Sequence, residues 1–127
     1  MKIRSKVWVF PDGDLPPLQP VDPALRNSET HGHESLVILN MGEKDVHPIL
    51  TVYFPDTDPW VVNLEPVPAQ RVRCYRTDEP LGKELVDIPP GQYALRLECE
   101  SPVVAQIGRM DIRQPNLAYY TTLGYPA

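Results

Sequence analysis

The residues best equipped for chemistry stand together at His31-Gly32-His33-Glu34. Two imidazoles two residues apart project to one side of an extended chain, the geometry of a metal fork. Such a fork needs further ligands, and the chain offers little. His47 is the last of three histidines, and Cys74 and Cys99 stand far apart with no CxxC spacing. No metal site is therefore expected, and both thiols read as small apolar fillers. Asp12 and Asp14, like Asp56 and Asp58, form pairs whose turn chemistry accounts for them. No nucleophile elbow, phosphate-cradling glycine loop or histidine-centred triad is present. The chain is expected to be no enzyme and to carry no cofactor.

Arginine is the second chemical resource: Arg71, Arg73 and Arg76 in one segment, Arg109 and Arg113 in another. On a strand, Arg109 shares a face with Asp111 and Arg113. Guanidinium forks suit carboxylates, phosphates and sugar hydroxyls. Gly108 is unusual inside a strand unless something approaches the backbone closely. Asp111 is expected to hold the Arg109 fork so that its remaining donors face a ligand. The alternative is an Arg109–Asp111 ion pair that serves the fold alone. The candidate binding set is Trp8 as a stacking wall, His33 with Glu34 as an acid–base pair, Arg71, Arg109 and Asp111. It suits a small polar or anionic ligand. A net charge of −5 argues against a nucleic-acid footprint, so DNA contact is expected to be absent, or weak and salt-dependent through the arginine patch at 71–76.

These side chains need elements to position them. Sixteen prolines punctuate short apolar runs, a strand-and-turn pattern that leaves little room for helix. With 127 residues the expectation is a single domain over residues 1–127. Its fold class is all-β, an antiparallel, jelly-roll-like β-sandwich of about eight short strands. Strands are predicted at residues 6–10, 34–40, 48–54, 60–64, 71–76, 92–100 and 103–112, with a weaker one at 117–122. A turn is predicted at 11–14 and a long loop at 15–33. The runs at 36–39 and 49–54 are apolar on both faces, so the second face is expected either to pack inside a sandwich corner or to be covered by another subunit, which points to self-association. No run approaches a membrane span, the apolar run Val7–Phe10 after the basic start is too short for a signal-peptide core, and two unpaired thiols fit a reducing cytoplasm.

One sandwich enzyme class shares the HxH element, the cupins. Their pattern calls for a glutamate three or four residues further on, where Leu36, Val37 and Ile38 stand. It also calls for a later histidine, where Gln92, Tyr93 and Ala94 follow Gly91. A cupin-like metal enzyme therefore remains only the third reading.

A different family matches better. His33-Glu-Ser-Leu-Val-Ile-Leu-Asn40 runs into Met41-Gly-Glu-Lys-Asp45, and Leu50-Thr-Val-Tyr-Phe54 follows, with Asp58-Pro59. Next come Val67-Pro-Ala-Gln-Arg71 through Arg76 and Pro102-Val-Val-Ala-Gln-Ile-Gly-Arg-Met-Asp-Ile-Arg-Gln114. In order and spacing this set resembles the sensory rhodopsin transducer family. The resemblance implies a β-sandwich protomer, a cytosolic homotetramer, and a signalling or small-molecule-binding role with carbohydrate-like ligands, a photoreceptor or DNA as partners. The chain departs from the pattern at Cys74 and Ile107, where histidine is expected, and at Asp78-Glu79. The expected function is a non-enzymatic binding module. Its rival is a protein-interaction transducer docking on a membrane receptor.

Overall fold

The computed structural model describes residues 3–16, 32–111 and 118–127, with the backbone alone at Asp111 and Ala118. Among the described residues it is all-β, 64% strand without helix, and the eight strands there form an antiparallel sheet that is not closed into a barrel. In chain order they are β1 (Ser5–Leu15), β2 (His33–Asn40), β3 (Ile49–Tyr53), β4 (Trp60–Asn63), β5 (Arg71–Arg76), β6 (Gly91–Asp111), β7 (Ala118–Leu123) and β8 (Tyr125–Pro126).

β6 is the spine. Its first half pairs with β1 and β3, and its second half with β2 and β7. β4 and β8 extend the first half of the sheet, and β5 extends the second. Both halves contribute to one core, in which Leu36, Ile38, Leu50, Val52, Leu95 and Leu97 are at most 1% exposed. Burial of each stabilises the fold by about 1.5–3 kcal/mol relative to leaving it in water.

Two sequence expectations need correction. Residues 92–100 and 103–112 are not separate strands, because Ser101 and Pro102 lie inside β6. Proline lacks a donor for the ladder, and here it falls where β6 passes from one set of partners to the other, beside a register shift in β1. Nor does β1 stop at Phe10. Pro11 and Asp12 form a bulge: Phe10 pairs with Leu95 and Gly13 with Tyr93, so β1 spends one residue more than β6. The turn-like sequence bends the strand without ending it. Gly13 is required there, since a Cβ would lie 2.5 Å from the Tyr93 ring. Strand β8 was not expected. Most of the long loop foreseen at 15–33 lies outside the described residues.

Asn40 ties two connections together. Its Nδ2 donates to the carbonyls of Lys44, Val67 and Pro68 at 2.8, 3.1 and 3.2 Å, and its Oδ1 accepts from Gly42 N–H at 2.9 Å. The side chain is fully buried, and every polar atom on it is satisfied. Cys99 is buried in the core, and burial pushes its thiol up to about 12, which makes it an inert filler.

Candidate functional site

Glu34 is the least expected core residue: a carboxylate 1% exposed. Alternation along β2 turns Leu36, Ile38 and Asn40 inward, and Glu34 is the next inward position toward the start of the strand. Its cross-strand partner is Arg109. Inward positions on β6 run Val103, Ala105, Ile107, all buried, and Arg109 continues that face at the rim. An ion pair thus caps the apolar core where the sheet runs out. Arg109 Nε donates to Glu34 Oε2 at 3.0 Å, and Asp14 N–H donates to Glu34 Oε1 at 2.7 Å. The carboxylate therefore keeps both oxygens hydrogen-bonded away from water. Below it Thr77 donates from its backbone N–H to the Glu34 carbonyl at 3.0 Å, and its hydroxyl lies 3.0 Å from Tyr93 Oη. Burial first, then the charge of Glu34, raises the Tyr93 phenol well above its ordinary range, so it stays neutral.

The rest of the arginine fork is also committed. Nη1 donates to Tyr120 Oη at 2.5 Å, and Nη2 donates to the Asp12 carbonyl at 3.3 Å and lies 3.7 Å from Asp12 Oδ1. The guanidinium carbon sits 5.4 Å from the centroid of the Tyr120 ring. Although partial burial disfavours the charged form, the hydrogen bond and charge of Glu34, then Tyr120 and Asp12, hold the Arg109 pKa above its usual value.

Beside this pair lies a cavity of about 310 Å³, framed by Phe10, Asp12, Glu34, Arg109, Tyr120 and Tyr125. Ile107 adds apolar wall, and Thr122 of β7, its cross-strand partner, lies beside it. The C-terminal segment makes one side of it. β7 leaves β6, and at Gly124 the chain crosses to pair with β1 as β8. A Cβ on Gly124 would lie 2.6 Å from the Phe10 ring, so the crossing is close enough to demand glycine.

The structure divides the predicted site residues. Glu34 and Arg109 meet. Trp8 does not line the cavity: it is a core residue, 3% exposed, whose indole N–H donates to the Val103 carbonyl at 2.9 Å. His33, one residue from Glu34, faces the other side of β2 opposite Met110, so the two do not form a pair in one site. Arg71 pairs with Asn40, six residues along β2 from Glu34 or about 20 Å at strand rise. It is exposed and donates to the carbonyl of Gln70. The side chain of Asp111, and all of His31 and Arg113, lie outside the described residues. Among the described residues Glu34 grips the Arg109 fork, and the grip foreseen for Asp111 lies outside them. Sequence reasoning missed Asp12, Tyr120 and Tyr125. The Pro11–Gly13 signal that places Asp12 was visible, but it was read as a turn.

Among the described residues no group of three or more His, Cys, Asp or Glu side chains could hold a metal ion, and no helix is long and apolar enough to cross a membrane.

No curated protein matches the chain. Solved structures do. The crystal structure of Thermotoga maritima 1070 superposes with a TM-score of 0.77 at 27% identity, over 97% of this chain and 95% of that one. The Anabaena sensory rhodopsin transducer gives 0.67 at 28% identity, over 91% of this chain and 97% of its own. The family profile described as Anabaena sensory rhodopsin transducer matches residues 3–126, and the chain belongs to that family.

Proposed function

We propose that this chain is a non-enzymatic cytoplasmic signalling module, a homotetramer of single-domain protomers, that binds a small polar ligand in the cavity beside Arg109 and Glu34. The observation that carries the reading is the buried ion pair set against an open cavity with aromatic walls. A volume of about 310 Å³ suits a molecule of monosaccharide size, and preformed polar groups among apolar walls are the usual make-up of a ligand site. The family supports a signalling role, since one member of similar structure is named as a transducer. It also favours the second reading, a protein-interaction transducer docking on a membrane receptor.

Thermal unfolding with a panel of glucose, glucosamine, choline and inorganic phosphate tests the binding reading. A ligand at a hundred times its Kd adds about 2.7 kcal/mol to the stability of the form that binds it. At least one probe should raise the melting temperature, and a Thr122→Trp variant, which fills the cavity from β7, should lose that rise. A panel that leaves melting unchanged, or a rise that survives Thr122→Trp, would refute the proposal.

A further inference from the structure

We infer that the cavity takes a small organic cation, its ammonium group set against Asp12 and its body against the tyrosine walls, and that it rejects anions. This rests on reading the cavity as a ligand site. An arginine at a cavity wall ordinarily marks an anion site, but here its charge is already met. Arg109 sends Nε to Glu34, Nη1 to Tyr120 and Nη2 to the Asp12 carbonyl. Among the described residues around the cavity its one positive charge faces two carboxylates, Glu34 and Asp12, so their formal balance is negative. An incoming phosphate or carboxylate would have to displace a buried carboxylate from its arginine, leaving the Glu34 charge with neutral donors alone, among them the Asp14 N–H.

Asp12 differs from Glu34. Its side chain is 77% exposed at the rim. Its Oδ1 accepts from Gln92 Nε2 at 3.2 Å, and among the described residues no donor reaches Oδ2. The bulge places this carboxylate at the edge of the cavity, held by Gln92 and 3.7 Å from Arg109 Nη2, with its Oδ2 open to an ionic contact. Two tyrosines stand in the remaining wall. Tyr120 already carries a guanidinium over its ring, while Tyr125 is 66% exposed. Ring faces beside a carboxylate form the recognition chemistry of alkylammonium groups.

Isothermal titration of the full chain with choline, glucosamine, glucose and inorganic phosphate tests the inference. Choline and glucosamine should bind more tightly than glucose, and phosphate should not bind. The Asp12→Asn variant keeps the shape of the residue and removes its charge, and it should weaken choline binding about tenfold while circular dichroism stays unchanged. Tyr125→Leu should weaken choline more than glucose. Phosphate or glucose binding as tightly as choline would overturn the cation reading and leave a ligand cavity standing. Choline affinity untouched by Asp12→Asn would also overturn it. Failure of all four probes to saturate would overturn both readings.

Discussion

Arg109→Ala should destabilise the protein by about 3–5 kcal/mol, because it leaves the buried Glu34 carboxylate without its cation. The expectation follows from position. Glu34 is 1% exposed, it cannot turn to water, and the Asp14 N–H and the neutral Tyr93 hydroxyl beside it carry no charge to replace the lost cation. For a chain of this size the loss corresponds to roughly 10–20 °C in melting temperature. Packing alone does not explain such a figure, and a second substitution separates the causes. In a Glu34→Gln, Arg109→Ala double variant the carboxylate charge is gone, while the amide oxygen still accepts from Asp14. Stability should recover by at least half of the first loss. Urea unfolding of the four proteins gives the coupling directly. If Arg109→Ala costs under 1 kcal/mol, or the double variant is the sum of its parts, the pair is not what holds this end of the sheet.

The outer face of the second sheet half carries the other large effect. Val72 pairs with Leu39 and Leu39 with Val104, while Cys74, Val37, Gln106 and Leu123 form the next row across β5, β2, β6 and β7. Val72 and Leu123 are 62% and 63% exposed in the protomer, and Tyr119 on the same face is 61% exposed. An apolar sheet face of this kind belongs at an interface. We expect the wild-type chain to scatter light as a tetramer. A Val72→Lys, Leu123→Lys variant should fall to a smaller species with unchanged circular dichroism, because each lysine would have to enter the contact unpaired. A monomeric wild type, or a variant that keeps its mass, would contradict the homotetramer.

What the sequence disclosed and what it hid follow from the range of the signals. The alternation of Tyr93, Leu95, Leu97 and Cys99 is local, and it placed that part of β6 correctly. So did the apolar runs of β2 and β3 and the arginine-rich β5. Proline and glycine punctuation proved ambiguous. The same Pro-Asp-Gly chemistry that ends a strand can bulge one, and only the pairing with Leu95 and Tyr93 decides between them. Ser101-Pro102 likewise looked like a break because nothing local shows a strand changing partners.

The site was half legible for the same reason. Arg109 and Glu34 were both singled out, but their pairing across 75 residues is a matter of register. Adjacent residues on a strand face opposite ways, which is why His33 could not accompany Glu34. Trp8 was given a binding role for its flat ring, yet a buried indole with a carbonyl partner is an ordinary core solution. Tyr120 and Tyr125 went unnoticed because their contribution depends on the crossing at Gly124, set by contact with Phe10 rather than by any motif.

The most direct measurement of the central claim is an amide nitrogen–proton NMR titration of the full chain with choline, followed by side-chain signals of Arg109. The account predicts saturable shifts at Asp12, Gly13, Tyr120 and Gly124 and at the Arg109 Nε–H, with the outer-face residues Val37, Val72 and Gln106 unmoved. Saturable shifts centred on Val37, Val72 and Gln106, or no saturable shift around Gly124 and Arg109, would contradict it.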